Sequence, residues 1–311
     1  MRVFSKKTVL LIIALVIVAF GTVSCTGYLV NKELEGLRKD AGLKVKSMKI
    51  PDFKIVYAEG GTGDTIIMLH GFEADKDYWP SFAKYFTPHY RVIIPDLSGF
   101  GDSSKPKDKN YNIMSQVERL NLFAKKLKLT KFHLVGNSMG GAIAGNYAAT
   151  YPEMIESLAL FDSAGVVAPT NSELILLMEK GEKPFFVKDV NDYDKLFKLA
   201  WVNPPEFPSF IMKYLAKKAV KEAPFNEKIW NDMISSDIVD LENKLDKITV
   251  PTLILWGDSD KIIDISSVPI FEKGIKNSKS VIIKECGHLP MMEKPMETAS
   301  AYQEFLKGNN Y

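Results

Sequence analysis

Ser138 stands in Gly136-Asn137-Ser138-Met139-Gly140, where an apolar run breaks into an alanine-rich stretch. A serine hydroxyl is a poor nucleophile until a base takes its proton and the backbone holds it toward that base. Gly136 and Gly140 lack Cβ atoms, so a strand and a helix can approach closely around a sharp turn with the serine at its apex. The backbone N–H of Met139 then opens the helix and can face a developing oxyanion. The same pentapeptide also arises by chance in glycine-containing loops, so the reading depends on partners elsewhere in the chain.

An imidazole can take the serine proton and return it near neutral pH. Of His70, His89, His133 and His288, the last is the best candidate. Glu285-Cys286-Gly287-His288 follows the final apolar run, from which a loop can reach back over a sheet edge. His70 closes an earlier run and reads as a brace for the turn after it. His89 and His133 read as a surface and a strand residue. The acid that orients the base is expected at a strand end between serine and histidine, where Trp256-Gly257-Asp258-Ser259-Asp260 offers two carboxylates. Asp260 has room to turn inward and is favoured; Asp258, Asp264 and Asp162 are the alternatives. A second oxyanion donor is expected after Thr65–Leu69, where His70-Gly71-Phe72-Glu73 makes the Phe72 N–H the candidate. Asp96-Leu97-Ser98-Gly99-Phe100-Gly101 lacks the third glycine and following helix of a dinucleotide fingerprint and reads as a structural turn. The histidines are not paired at metal-ligand spacing, so no metal is expected.

Positioning these groups takes alternating strands and helices. Phe53–Tyr57, Thr65–Leu69, Arg91–Pro95, Phe132–Val135, Leu158–Phe161, Pro251–Trp256 and Ser280–Lys284 are predicted strands, several apolar on both faces as in a covered parallel sheet. Met114, Val117, Leu120, Phe123 and Leu127 recur at helical spacing, which predicts an amphipathic helix over Ile113–Lys128. Ala142–Tyr151 suits a buried helix behind the serine, and Pro295–Lys307 a closing helix. From about Ala164 to Lys244 the alternation stops. That interval is aromatic and helical in period, with Pro204, Pro205 and Pro208 in its middle. It is predicted to be an inserted helical cap, whose aromatics mostly pack on one another while some roof the serine and favour an apolar substrate.

Composition narrows the classes further. The 311 residues are 46% hydrophobic and 25% charged, which is globular, and a net charge of +2 gives no footprint for nucleic acid. Two cysteines, Cys25 and Cys286, make no disulfide framework. At the N-terminus Arg2, Lys6 and Lys7 precede twelve unbroken apolar residues, Val9–Phe20, and no charge follows until Lys32. Such a segment is a secretory signal or a signal anchor, with the domain after it on the non-cytoplasmic side. Gly21-Thr22-Val23-Ser24-Cys25 resembles the bacterial lipoprotein processing site, with Cys25 the lipidated residue, although Thr22 stands where leucine is usual. The other reading is an uncleaved anchor in which Cys25 is incidental. Either one tethers the domain to a membrane, with residues 31–49 as a solvated linker or short helix.

These motifs together resemble the α/β-hydrolases over roughly residues 50 to 307. The matching features come in order: His70-Gly71-Phe72, Asp96 with its turn, Gly136 to Gly141, Trp256-Gly257 with Asp260, and Cys286-Gly287-His288. The order Ser138, Asp260, His288 is that family's and neither chymotrypsin's nor subtilisin's. Within the superfamily the chain is most similar to membrane-anchored monoacylglycerol lipases of the subfamily 6 type and bacterial lipases. Those share a Leu-His-Gly-Phe turn, a Ser-Met-Gly-Gly elbow and an Asn-Cys-Gly-His-like segment, in which Glu285 here replaces the asparagine. The domains expected are residues 1–30 as anchor or lipoprotein signal, 31–49 as tether, 50–163 and 245–311 as core, and 164–244 as cap. The resemblance implies hydrolysis of apolar carboxylic esters, acylglycerols among them, through an acyl-enzyme on Ser138, with no cofactor and no named protein partner. The elbow also resembles that of carbon–carbon bond hydrolases acting on ring-cleavage products, but their Gly-Pro-Gly-rich oxyanion segment is missing. A ligand-binding protein of the same fold is disfavoured by the intact serine, acid and histidine.

Overall fold

The computed structural model describes residues 23–235 and 238–308. The N-terminal apolar run lies outside them; Cys25 falls in the first turn of a helix, but its side chain is also outside them. Helix α1 (Val23–Asp40) leads into β1 (Lys44–Ile50), β2 (Phe53–Gly60), β3 (Thr65–Leu69), β4 (Arg91–Pro95) and α2 (Ile113–Lys126). Next come β5 (Phe132–Asn137), α3 (Met139–Thr150) and β6 (Ile155–Phe161). Helices α4 (Glu173–Glu179), α5 (Val190–Ala200) and α6 (Ser209–Ile234) precede β7 (Thr252–Gly257), α7 (Val268–Gly274), β8 (Ser278–Ile283) and α8 (Pro295–Gly308).

The strands form one eight-stranded sheet in the order β1-β2-β4-β3-β5-β6-β7-β8. β1, β2 and β4 pair antiparallel, and every pairing from β4 to β8 is parallel. β3, β5 and β7 are buried along their whole length. Alternate side chains leave each strand on opposite faces. Ile67, Leu134, Leu160 and Ile254 join Phe123 of α2 and Tyr147 of α3 in one core. Ile66, Val135, Ala159 and Leu255 join Trp79, Phe82 and Tyr302 of α8 in the other. Two dry layers therefore fix the carboxyl ends of β3, β5, β6 and β7, where the candidate residues lie.

All seven predicted strands form. Residues 31–49, expected as a solvated linker or short helix, divide: the first part is helical and continues α1, but Lys44–Ile50 is instead an edge strand paired with β2. Its lysines 44, 46 and 49 hide the strand from a hydrophobicity reading, and the same charges suit an edge that must not recruit another chain. The turn that closes the hairpin is Pro51-Asp52, with Asp52 at φ 64°. Between β6 and β7 the described residues hold helices and turns without a strand. Gly27 of α1 lies against the Tyr214 ring of α6, and Arg38 pairs with Asp77 at 2.6 Å. Among the described residues no helix is long and apolar enough to cross a membrane.

Candidate active site

β5 hands over to α3 at a single strained residue. Ser138 has φ 57° and ψ −121°, a conformation glycine tolerates far better. A Cβ at Gly136 would overlap the Gly140 carbonyl, and one at Gly140 would overlap the carbonyls of Leu69 and His70. Only glycines let the start of α3 press onto the ends of β3 and β5. The strain is held in place by hydrogen bonds on both sides. Ser138 N–H donates to Phe161 O at 3.0 Å, and its carbonyl accepts from Gly141, Ala142 and Ala164 at 2.9, 3.1 and 3.0 Å. Ser138 is half-buried while its neighbours Asn137 and Met139 are buried, so this position meets the site's interior.

The structure pairs His288 with Asp260. Nδ1 lies 2.7 Å from Asp260 Oδ2, with both side chains buried. Asp260 Oδ1 accepts from Ile262 N at 2.7 Å and Ile263 N at 3.1 Å, which fixes the carboxylate and keeps Oδ2 for the imidazole. A neutral ring that donates from Nδ1 carries its lone pair on Nε2, the form a general base needs. Asp258 instead stays near the surface, 3.6 Å from Lys284, and Asp264 caps a turn through Ser266 N. Asp162 is buried close to the pair without contacting the ring through a hydrogen bond of its own.

The histidine loop is tied down from three directions. Asn137 Nδ2 donates to His288 O at 3.0 Å, His288 N donates to Ala200 O at 2.9 Å, and Gly287 N donates to Glu293 Oε2 at 2.8 Å. Glu293 also accepts from Val202 N and Asn203 N, so one carboxylate joins the histidine loop to the segment after α5. Asn137 is the residue before the serine, which couples the two loops directly. Neither Asn137 nor Glu293 was identifiable from sequence: His288 lies 151 residues from Asn137, and Val202 and Asn203 lie 91 and 90 residues from Glu293.

The turn after β3 runs alongside the serine. A Cβ at Gly71 would stand 3.1 Å from Ser138 Cβ, which brings Phe72 beside the first turn of α3, where Met139 lies. His70 braces this turn as expected. Its Nε2 accepts from Leu97 N at 3.0 Å and its Nδ1 lies 2.8 Å from Gly71 O. Lys76 is a second brace, unforeseen because an isolated lysine reads as surface. It is 3% exposed, with Nζ 3.1 Å from buried Asp96 and 2.7 Å from Asp102. Asp96 also accepts from Lys76 N at 2.7 Å and Asp102 N at 2.8 Å, so the glycine-rich turn is structural.

The inserted helices meet this turn through aromatic rings. Phe72 packs edge-on with Phe185 at 5.4 Å and against Trp230 at 5.5 Å between centroids. Phe185 and Trp230 also line a groove of about 290 Å³ together with Met178, Phe186 and Ile234. Glu73 accepts from Asn226 of α6 at 3.1 Å, and burial pushes its carboxyl up to about 8. Among the described residues, Asp162, Asp260 and His288 are the one group of three close enough to share a cation. A cation there would have to displace the Nδ1–H···Asp260 bond.

A family profile described as alpha/beta hydrolase fold matches residues 64–295. The chain belongs to the α/β-hydrolase family. This α/β hydrolase is 33% identical over 279 residues to Lipase 1 of Psychrobacter immobilis, covering 88% of each chain. It is 30% identical over 282 residues to monoacylglycerol lipase ABHD6 of Rattus norvegicus, covering 86% of this chain and 84% of that one. Its structure matches a membrane phospholipase A at TM-score 0.90 and 40% identity, covering 98% and 97% of the two chains. A meta-cleavage product hydrolase from Pseudomonas fluorescens IP01 matches at TM-score 0.72 and 23% identity, covering 85% and 98%, and shares the fold. The expected resemblance to bacterial and subfamily 6 lipases is met in sequence, and the solved structures it matches share the fold.

Proposed function

We propose that this protein is a carboxylic ester hydrolase acting on apolar acyl esters, acylglycerols among them, through Ser138, His288 and Asp260. The observation that carries the reading is the buried 2.7 Å His288–Asp260 pair, anchored by Asn137, the residue beside the strained Ser138. In acylation, His288 Nε2 takes the Ser138 proton as Oγ attacks the ester carbonyl. The tetrahedral oxyanion is bound by Phe72 and Met139 N–H groups, each such donor being worth roughly 10²–10³ in rate. The proton passes from His288 to the departing alkoxide, which leaves as the alcohol. Water then attacks the acyl-enzyme with His288 again as base, and the carboxylic acid leaves with Ser138 restored. Asp260 holds the ring and stabilises the imidazolium. The chemistry is complete without a metal or organic cofactor.

Several features support an apolar substrate at a membrane. Phe72, Phe185 and Trp230 carry aromatic surface from the insertion onto the oxyanion turn. Residues 164–244 act as the cap over a core of 50–163 and 245–311, and residues 1–30 tether the enzyme on the non-cytoplasmic side. Cys25 is the lipidation candidate in this reading, and the tether presents the site to lipid.

Labelling with a fluorophosphonate probe tests the nucleophile. Wild type should label and Ser138→Ala should not, and equal labelling of the two would refute the assignment. A chain-length series of p-nitrophenyl esters and monoacylglycerols tests the substrate class. Inertness toward all of them with cleavage of a ring-fission diketone would favour carbon–carbon hydrolysis instead. Metabolic labelling with a palmitate analogue tests Cys25, and incorporation that persists in Cys25→Ser would exclude it.

A further inference from the structure

Asp162 is the first residue after β6 and lies beside the acid of the proposed triad. It is fully buried and has φ 43°, a backbone cost that an ordinary loop aspartate does not carry. Its Oδ1 accepts from Gly257 N at 2.9 Å, which pins the carboxyl to the end of β7, while its Oδ2 meets no donor. One carboxylate oxygen of Asp162, one of Asp260 and a ring nitrogen of His288 lie within 4.8 Å of one another.

Two carboxylates this close in a dry site do not both ionise. The charge goes to the better-supported group. Asp260 has the Ile262 and Ile263 N–H groups on Oδ1 and the imidazole on Oδ2, whereas Asp162 has a single backbone donor. Glu293, from the turn preceding α8, adds negative charge on the same side, and the nearby Cys286 thiol is raised by burial and stays neutral. Burial first, and the charge of Asp260 second, push Asp162 well above the usual carboxylate range.

We propose that Asp162 is a positioning residue, a neutral carboxylic acid whose O–H donates a hydrogen bond to the Asp260 carboxylate and holds it against His288. The arrangement makes the orienting acid a two-carboxyl unit with one proton and one charge. The inference rests on the triad reading, and Ser138→Ala and Asp260→Ala test that reading separately. If those variants lose activity and the Asp162 variants do not, the triad stands and this proposal falls.

The experiment is the pH profile of kcat and kcat/KM for p-nitrophenyl ester hydrolysis by the full chain and two variants. Asp162→Asn offers an N–H donor to Asp260 and an acceptor to Gly257 without a charge. It should lose at most about fivefold in kcat, with the acid limb of kcat/KM where it is in wild type. Asp162→Leu removes the donor and should lose roughly 10- to 100-fold in kcat with little change in KM. Its acid limb should move to higher pH, because an unsupported Asp260 charge favours the protonated imidazole. An acid limb displaced to lower pH in Asp162→Asn would mean that a negative charge had been removed and would overturn the proposal. So would wild-type kcat in Asp162→Leu. Should the leucine variant not fold, infrared difference spectra of wild type and Asp162→Asn at neutral pH decide the matter. A protonated carboxylic acid band present only in wild type supports the assignment, and its absence refutes it.

Discussion

His70 gives a prediction whose size follows from the structure. One ring nitrogen accepts the Leu97 N–H at 3.0 Å and the other faces the Gly71 carbonyl at 2.8 Å, so the ring is neutral with its proton on Nδ1. Protonating Nε2 would set two donors against each other in a fully buried site. Burial accordingly holds the imidazole down at about 4, against an ordinary 6.5, with Lys76 acting in the same direction and Asp75 and the Gly71 carbonyl against it. The unfolded chain takes up this proton around pH 6.5 and the folded protein only near 4. The stabilisation is therefore complete above the upper value and is lost as pH falls between the two. At about 1.4 kcal/mol per unit, the interval amounts to roughly 3 kcal/mol. The assay is urea unfolding of wild type and His70→Gln from about pH 7.5 down to about 4.5, where most of the interval has been crossed. A glutamine carbonyl can accept from Leu97 N but does not titrate, so the variant starts less stable and the two curves converge on acidification. Other groups titrating in this range are common to both proteins and cancel in the difference. A gap between the curves that stayed constant with pH would refute the argument.

Other perturbations probe the supports of the site. Asn137→Ala frees the His288 carbonyl, and steady-state kinetics should show kcat reduced roughly 10-fold with KM nearly unchanged; a change confined to KM would contradict this. Lys76→Met leaves the fully buried Asp96 carboxylate without its counter-charge, so chemical unfolding should show a loss of roughly 3–5 kcal/mol. Glu73 carries the opposite pH sign to His70. With its carboxyl at about 8 in the folded protein, it keeps a proton that the unfolded chain has released, so its contribution to stability declines as pH rises from about 4.5 toward 8. Glu73→Gln should flatten stability over that range, and an unaltered slope would rule the effect out.

Much of the site was legible because its determinants are local. Gly136 and Gly140 are demanded by contacts within a few residues of Ser138, and strands buried on both faces announce themselves as unbroken apolar runs. Asp260 is favoured over Asp258 because it stands three residues past Gly257 with room to turn inward, and in the structure its carboxylate accepts from the Ile262 and Ile263 N–H groups. What escaped depends on distant partners. Asn137, Glu293 and Lys76 are ordinary polar residues in sequence, and their roles appear once folding brings them against His288, Val202 and Asp96. β1 escaped for a different reason: at an edge, register and charge matter more than hydrophobicity, and five of its seven side chains, Lys44 to Ser47 and Lys49, are exposed. Asp162 was weighed as a rival to Asp260, whereas the structure puts it beside Asp260 as a neighbour.

The backbone of Ser138 sets chemistry and folding at odds. A side chain held at φ 57° and ψ −121° costs roughly 1–3 kcal/mol, and a glycine would relax it at an entropic cost of about 0.5–1 kcal/mol. Ser138→Gly should then melt at a higher temperature than wild type while being unable to form an acyl-enzyme. A screen for thermal stability alone would discard the proposed nucleophile, and a library built to improve this protein must select for turnover at the same time.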